Sequence, residues 1–189
     1  MDDAGRRAQL PVETWNPPFC GEIDMRIARD GTWYYRDTPI RRPELVWLFS
    51  TILRKDAQGY VLVTPAEKVG ITVEDAPFTA VELAIAEQGP SQRLRFRTNV
   101  DDWIEASASH PLRFETAAFG GLKPYIQVRG ELWALVVRAL TFDLVNLGEI
   151  GEHDGARYFG VHSAGHFFSI ANARAIDDLR EVWQGTTNR

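Results

Sequence analysis

One cysteine, Cys20, is all that the sequence of 189 residues contains, so a disulfide framework within the chain is excluded. Long apolar runs are missing as well: no stretch has the length of a membrane span or the apolar core of a secretory signal. Basic charge is also scarce, because 21 Lys and Arg residues face 26 Asp and Glu residues and leave a net charge of −5. Such a charge repels a phosphate backbone. We therefore expect a cytoplasmic protein that binds neither membranes nor duplex nucleic acid.

Motifs of known chemistry are absent too. The sequence has no Gly-rich phosphate loop, no G-x-G-x-x-G, no H-E-x-x-H and no G-x-S-x-G. His153, His162 and His166 could supply metal ligands, but the last two fall on opposite sides of a predicted turn, so we expect no metal. Cys20 has no histidine near it in sequence and is expected to be a buried or half-buried thiol. These absences predict no cofactor and favour a binding protein over an enzyme.

Apolar residues make up 44% of the chain, which is enough to build a core. The length fits one ordinary domain or two small ones. The polar start, which ends in Trp15-Asn16-Pro17-Pro18, is typical of a loosely held arm, so residues 1–18 are expected to be flexible. Residues 19–99 and 100–189 are predicted to form two α+β domains.

Apolar periodicity and turn signals predict mostly strands, with three helices. An amphipathic helix over residues 43–55 should bury Leu45 and Leu48, and a helix over residues 132–144 should be buried on most sides. A short helix is predicted over residues 173–183, and a loop over residues 148–155. The predicted strands are residues 23–27, 33–35, 60–64, 69–73, 78–86, 93–98, 103–104, 112–114, 125–128, 158–161 and 166–170.

An internal repeat is visible between the two halves. Residues 40–48 line up with residues 128–135 if one residue is skipped, and each segment precedes a predicted helix. A hairpin follows each helix, and its first strand is expected to begin at Tyr60 or at Tyr158. This order predicts a tandem duplication of a strand-helix-hairpin motif with antiparallel sheets. Two such units bury a seam, and seams of that kind are common ligand sites.

Arginine supplies 18 of the 21 cations, and its side chain suits bidentate contacts with carboxylates and phosphates. Arg93, Arg95 and Arg97 alternate with apolar residues, which puts three guanidinium groups on one face of a predicted strand. Such an arginine ladder could hold a polyanion or meet a protein partner. The alternative is a solvated face whose arginines pair with Glu82, Glu87 or Glu105.

Arg129 and Arg138 lie beside or within an apolar stretch, where an unpaired charge is costly. Each is predicted to have a partner, either a carboxylate such as Asp143 or Glu131 or the anionic group of a ligand. In the second case Tyr125 would stack on the ligand, and residues of the first half would form the opposite wall. The candidate ligand-binding residues are Asp24, Arg26, Lys68, Asp75, Tyr125, Arg129 and Arg138.

An ordered set of short segments resembles one protein family. In the first half they are residues 20–27, 30–33, 38–40, 63–68 and 73–78. In the second half they are Thr98-Asn99, His110-Pro111-Leu112, Pro124-Tyr125, Val128-Arg129, Arg138, Asp143-Leu144, Gly160-Val161, Ser163 and Phe168. The set resembles the uncharacterised bacterial family called domain of unknown function 1285. Asp37 stands where the family pattern has Gly, and His162 stands where it has an aromatic residue.

The resemblance implies a two-part α+β protein with a duplicated motif, whose C-terminal part is similar in outline to pleckstrin-homology-like folds. It also implies a small, nucleotide-like ligand at the junction of the parts and a role in signalling, without an assigned reaction. We therefore expect a ligand-binding or regulatory protein whose inter-domain cleft holds a small anionic, nucleotide-derived molecule. Two alternatives stay open: an enzyme that uses Glu74, Asp75 or His110 as acid or base, and a protein-interaction module that uses the arginine ladder.

Overall fold

Two units can be distinguished along the chain. A computed structural model of the protein describes residues 10–87, 89–116, 121–153 and 155–173. Contacts between Cα atoms group residues 1–79 with 129–133 as the first unit, and residues 80–128 with 134–189 as the second. Strands dominate the described part of both units, and each contains an α-helix. The predicted α+β class is confirmed, whereas the helix predicted over residues 173–183 lies outside the described residues beyond Ala173.

A six-stranded sheet forms most of the first unit. Its elements, in chain order, are β1 (Phe19–Ile27), β2 (Trp33–Tyr35), β3 (Thr38–Pro39), α1 (Pro43–Thr51), β4 (Leu53–Asp56), β5 (Gly59–Val63) and β6 (Lys68–Val73). The strand order is β3-β2-β1-β6-β5-β4, and the predicted hairpin at Asp30-Gly31 joins β1 to β2. β1 and β6 are parallel, so the expectation of purely antiparallel sheets is wrong here. The reason is that the chain passes through four further strands and α1 between β1 and β6, whereas a tight turn joins only antiparallel strands.

One face of this sheet is apolar and packs against α1. Trp33 stacks on Phe49 of the helix with ring centroids 6.0 Å apart, and Ile27 and Leu53 are fully buried. The helix begins at Pro43, a position where a residue without an N–H is tolerated.

The buried side of α1 differs from the prediction. Leu45 and Leu48, which the periodicity places on the buried face, are 37% and 46% exposed. The helix packs instead through Phe49 and Ser50, and it ends at Thr51 rather than at Lys55. The continuous period-3.6 pattern is misleading because its last residues belong to β4.

The other face of the sheet carries the polar side chains. Lys68 pairs in register with Val63 of β5, while Arg26 lies between Tyr34 of β2 and Thr72 of β6. Residues that are opposite in register share a face, and residues two apart on a strand do so as well. This polar face therefore includes Asp24 and Arg26 of β1, Arg54 and Asp56 of β4, and Lys68 and Thr72 of β6.

An N-terminal segment packs against β4 at this face. Val12–Thr14 form a 3-10 turn, and the Val12 side chain is only 3% exposed. The carbonyl groups of Val12 and Trp15 each accept a hydrogen bond of 2.8 Å from Arg54 Nη1. Val12 and Trp15 of the predicted arm therefore have specific contacts with β4, while residues 1–9 lie outside the described part and the flexible arm over residues 1–18 stays a prediction. We refer to residues 10–18 as the N-terminal strap.

Two further sheets consist mostly of residues of the second unit. Their strands begin with β7 (Phe78–Ala86), β8 (Arg93–Thr98), β9 (Trp103–Glu105), β10 (Leu112–Thr116), β11 (Leu122–Arg129) and β12 (Leu132–Val136). They continue after α2 (Arg138–Asn146) with β13 (Glu149–His153), β14 (Ala156–Ser163) and β15 (His166–Asn172). Three of these strands, β7, β11 and β12, each include one or two residues that are grouped with the first unit. The strand orders are β10-β11-β12-β7-β8-β9 and β13-β14-β15. The predicted hairpins β7–β8 and β14–β15 are confirmed.

The helix predicted over residues 132–144 is wrong in its first half. Leu132–Val136 form β12, and α2 begins only at Arg138. Gly130 has a φ of +47°, which allows a tight turn from β11 into β12. Leu132, Ala134 and Val136 are buried in alternation, as in a strand, because this segment pairs within a sheet.

Three further strands, β3, β4 and β13, are missing from the sequence prediction. Residues 148–155 contain three glycines that favour a loop, yet β13 pairs with β14 throughout its length. Gly151 is required there by packing, because a Cβ at this position would lie 2.7 Å from the Phe167 ring. The strands that carry Tyr60 and Tyr158 are consequently the second after each helix, not the first.

Candidate anion-binding site

The most strongly charged buried group of the first unit lies on the polar face, next to the N-terminal strap. We call it the basic cluster and define it as Arg54, Asp56, Gln58 and Lys68. Arg54 and Asp56 come from alternate positions of β4, Gln58 from the β4–β5 turn and Lys68 from the start of β6. Arg54 and Lys68 are each only 8% exposed.

Asp56 is the centre of the cluster. Its Oδ2 accepts a hydrogen bond of 2.8 Å from Lys68 Nζ and lies 3.5 Å from Arg54 Nη2. Its Oδ1 accepts a hydrogen bond of 3.0 Å from the Gln58 N–H, and the Gln58 Oε1 accepts another of 3.1 Å from Lys68. One carboxylate therefore faces two cations in a place that is largely removed from water.

The titration of Asp56 reflects these neighbours. Burial raises the pKa of Asp56, because a charged carboxylate loses hydration. Hydrogen bonds from Lys68 and from the Gln58 N–H, together with the charges of Lys68 and Arg54, outweigh burial and hold the pKa below its ordinary value of 3.8. Asp56 is therefore ionised in the folded protein at neutral pH.

Arg54 has bonding capacity that the described residues do not use. Nη1 donates to the two strap carbonyls, but Nε is buried and has no hydrogen-bond partner among the described residues. A buried donor without a partner costs about 1–3 kcal/mol. An acceptor from a ligand would remove that cost.

Arg26 forms a second polar group, at the far end of β1. Its Nη1 donates to Glu74 Oε1 at 2.6 Å, and its guanidinium lies 4.3 Å from the centre of the Tyr34 ring. Glu74 Oε2 also accepts the Arg29 N–H at 3.2 Å. Both oxygens of Glu74, a candidate acid or base, thus already accept hydrogen bonds.

Four of the seven predicted ligand residues, Asp24, Arg26, Lys68 and Asp75, lie in the first unit, but they do not form one site. Asp24 and Arg26 share the polar face with Lys68, but Lys68 stands four residues before Thr72, the partner of Arg26, which is roughly 13 Å along the strand. Asp75 follows β6 and is half-buried. Lys68 therefore belongs to the basic cluster, and Arg26 to a separate group.

Arg129, a fifth predicted residue, is tied to the end of α1. Its Nη2 donates to the carbonyl of Ser50, in the last turn of the helix, and its guanidinium lies 5.4 Å from the centre of the Phe78 ring. Carbonyl groups at a helix C-terminus lack partners within the helix and favour a cation. The Ser50 carbonyl is therefore one partner of Arg129, as the sequence analysis predicts.

Tyr125 and Arg138 belong to the second unit. The Tyr125 ring is 3% exposed, and Arg113 and Lys123 lie 4.8 and 5.3 Å from its centre. Arg138 is exposed at the start of α2, with its guanidinium 5.9 Å from the centre of the Phe142 ring. The expectation that Arg138 lies in a buried helix is wrong, because the preceding apolar residues form β12.

The arginine ladder is a solvated face, as one of the two alternatives states. Arg93 lies 3.1 Å from Glu105 and 3.8 Å from Glu87, and Arg97 lies 2.7 Å from Glu82. Hydrogen bonds from Arg97 to Glu82 and Asp101 raise the pKa of that guanidinium. Arg95 lies over the Trp103 ring, 5.6 Å from its centre.

The remaining residues for which the sequence suggested chemistry are a cysteine and several histidines. Cys20 is exposed, so the expectation of a buried thiol is wrong. His162 packs on Phe167 with ring centroids 4.8 Å apart and lies 3.4 Å from Glu149. Among the residues described, no three His, Cys, Asp or Glu side chains are grouped as metal ligands. None of the helices in the described ranges combines the length and apolar character needed to cross a membrane.

Sequence reasoning missed Arg54 and Asp56. The pair Arg54-Lys55 suits a helix C-terminus, and nothing near it in sequence points to burial. Its partners, the carbonyls of Val12 and Trp15, lie about 40 residues earlier in the chain, at separations of 42 and 39 residues. No local signal marks this segment as a strand, because Leu53 is followed by three consecutive charged residues that show no period-2 alternation.

These observations define a protein of two strand-rich α+β units. The chain belongs to the DUF1285 family: the model of its N-terminal domain, described as a domain of unknown function, matches residues 10–76. The model of its C-terminal domain, described as a protein of unknown function, matches residues 77–170. The family resemblance seen in the sequence is thereby confirmed. No curated protein matches the chain.

Two crystal structures of the family are similar to this chain. A DUF1285 family protein from Silicibacter pomeroyi DSS-3 is 46% identical, with a TM-score of 0.84, over 92% of this chain and 93% of that one. A DUF1285 family protein from Shewanella baltica OS155 is 26% identical, with a TM-score of 0.52, over 66% of this chain and 91% of that one. Neither description states a ligand or a reaction.

Proposed function

We propose that this protein binds a small anionic molecule through the basic cluster of its first unit. The observation that supports the proposal is an excess of buried positive charge, because Arg54 and Lys68 are both in contact with a single carboxylate, Asp56. Charges held away from water are costly unless they are compensated. A ligand with one anionic group would balance the remaining charge.

The donors of the cluster suit such a group. Arg54 Nε is buried without a partner among the described residues, and Lys68 Nζ carries three N–H groups, of which Asp56 and Gln58 accept two. Hydrogen bonds between charged partners are shorter and roughly twice as strong as neutral ones. A carboxylate or phosphate oxygen is the acceptor that gains most from these donors.

The finer parts of the expected function remain proposals as well. A nucleotide-derived ligand, a role in signalling, a cleft between the domains, a tandem duplication and a pleckstrin-homology-like C-terminal part are implied by the family resemblance or by the repeat. In support of the duplication, three strands precede each helix and three follow it, from β1 to β6 around α1 and from β10 to β15 around α2. The enzyme and protein-interaction alternatives stay predictions.

Calorimetric titration with three probes tests the proposal. Orthophosphate, a nucleoside monophosphate and the matching uncharged nucleoside are each added to the full chain. We expect the two anions to bind and the nucleoside to bind weakly or not at all, because the cluster recognises charge. Binding of the nucleotide alone would narrow the ligand class to nucleotides. Absence of binding by both anions would overturn the proposal.

Two variants test whether the anions bind at the basic cluster. Lys68→Met should weaken the affinity for the anions by about tenfold or more, because it removes a buried cation. Lys55→Met is the matched control, since Lys55 is an exposed lysine of β4, between Arg54 and Asp56, that points to the other face of the sheet and lies over Tyr60. Thermal unfolding of each variant checks that it is folded. Equal affinities of the two variants for the anions would contradict the proposal.

A further inference from the structure

We propose that the N-terminal strap is a lid on the basic cluster, and that an anionic ligand displaces it from Arg54. This inference rests on the proposed function, because it concerns access to the same cluster. The juxtaposition that supports it is that one guanidinium both holds the strap and supplies the unused donor.

The strap is attached to the sheet by polar contacts that an anion can replace. Arg54 Nη1 donates to the carbonyls of Val12 and Trp15, and the Lys68 N–H donates to the carbonyl of Pro18 at 3.1 Å. Three of its nine residues are prolines, which have no N–H to donate to a neighbouring strand. Val12 and Pro17 are its buried apolar residues, and Val12 lies in the turn whose carbonyl accepts from Arg54.

The closed strap and a bound anion compete for Arg54. The strap carbonyls are neutral acceptors, whereas an anionic oxygen forms a charge-assisted hydrogen bond that is roughly twice as strong. Arg54 Nε is inaccessible to solvent, and the strap carbonyls already accept from Nη1 of the same guanidinium, so we infer that a ligand binds this group only after the strap has moved. When an anion replaces the strap, Arg54 keeps its number of hydrogen bonds, and the released carbonyl groups of Val12 and Trp15 accept hydrogen bonds from water.

Competition of this kind has a thermodynamic consequence. If the anion binds only when the strap is open, its apparent affinity is reduced by the fraction of molecules that are open. Loosening the strap without touching a cation must then increase the apparent affinity. If the strap does not compete with the anion, loosening it would leave the affinity for the anion unchanged.

Val12→Ala provides the test, because it shortens one of the buried apolar residues of the strap and leaves Arg54 and Lys68 in place. We expect this variant to bind orthophosphate about threefold more tightly than the unmodified chain, or more. Thr14→Ala is a milder variant for the case that Val12→Ala does not fold, because Thr14 Oγ1 donates to the Pro11 carbonyl at 2.7 Å and steadies the turn. Leu48→Ala is the control, since this apolar side chain of α1 is exposed and its loss should not change the affinity.

Hydrogen exchange followed by mass spectrometry gives the second measurement. Saturating orthophosphate should speed the exchange of amides in residues 10–18 of the unmodified chain and leave those of α2 unchanged. If phosphate binds but neither strap exchange nor the Val12→Ala and Thr14→Ala affinities change, the lid is refuted and the proposed function stands. If phosphate and the nucleoside monophosphate bind to none of these proteins, both proposals fail.

Discussion

Buried charge is the clearest physical feature at the scale of single residues. Asp56 offers one negative charge to Arg54 and Lys68, and its loss would leave two cations in a largely dehydrated place. Removing one partner from a buried ion pair costs more than the pair contributes, because the remaining charge loses compensation. Asp56 therefore matters for stability independently of any ligand.

Asp56→Asn should lower the free energy of unfolding by about 1–2 kcal/mol at pH 7. The folded-state pKa of Asp56 lies below the ordinary value of 3.8, so its contribution is complete above that pH and is lost as the pH falls through the folded-state pKa. The difference between the variant and the unmodified chain should therefore shrink in strong acid. Urea unfolding at a series of pH values measures it.

The control for this prediction is Asp143→Asn, because Asp143 is exposed on α2. Its effect on the free energy of unfolding should be small at every pH. A difference for Asp56→Asn that stays constant from pH 7 to strong acid would contradict the role given to the ionised carboxylate.

Ser163 is the second residue with a specific energetic role. It is fully buried, its Oγ donates to the Ala106 carbonyl at 2.6 Å, and the same atom accepts the Leu94 N–H at 2.9 Å. Ser163→Ala leaves both backbone groups unsatisfied, so we expect the free energy of unfolding to fall by about 1–3 kcal/mol. Denaturant unfolding measures the loss, with Ser91→Ala as the exposed control. Equal stability of the two variants would show that other groups satisfy Leu94 and Ala106.

At the scale of elements, the turn between β2 and β3 carries backbone strain. Arg36 and Asp37 have φ values of +48° and +58°, as a two-residue hairpin turn of the primed type requires, although neither is a glycine. The expectation of a Gly at position 37 in the family pattern has its physical reason here. Asp tolerates the left-handed region better than most residues but less well than Gly.

Asp37→Gly should raise the free energy of unfolding by up to about 1 kcal/mol, since relief of strain exceeds the added flexibility of the unfolded chain. Asp37→Ala should lower it, because Ala fits this φ poorly and cannot form the local hydrogen bonds of Asp. Thermal unfolding of the two variants gives the order directly. An alanine variant as stable as the glycine variant would contradict the argument.

The strands that the sequence predicts correctly are those with local signals. Asp30-Gly31 marks the β1–β2 hairpin, regular alternation marks β8, and the Gly89-Pro90 turn signal separates β8 from β7. The prediction for residues 132–136 is wrong because Leu132 and Val136 fit a helical period of 3.6 as well as a strand period of 2. Only the pairing of this segment in the sheet decides between the two structures. The basic cluster could not be predicted for a related reason: Arg54 contacts Val12 and Trp15 only in the folded chain.

At the scale of the whole molecule, several arginines of the described part pair with carboxylates close by. Arg26 pairs with Glu74, Arg93 with Glu105 and Arg97 with Glu82, so cations that the sequence gathers are compensated locally. Exposed pairs of this kind contribute little to stability but remove the positive field that a polyanion needs.

This arrangement predicts that the protein does not bind duplex DNA. The net charge of −5 repels the phosphate backbone, and the ladder arginines Arg93 and Arg97 already contact carboxylates. Fluorescence anisotropy of a labelled duplex should stay unchanged up to about 10 µM protein at physiological salt. The same measurement with Glu82→Gln and Glu105→Gln combined is the informative comparison, because it frees two ladder arginines. Binding by the unmodified chain that weakens steeply with salt would show that the local pairs do not cancel the field of the arginines.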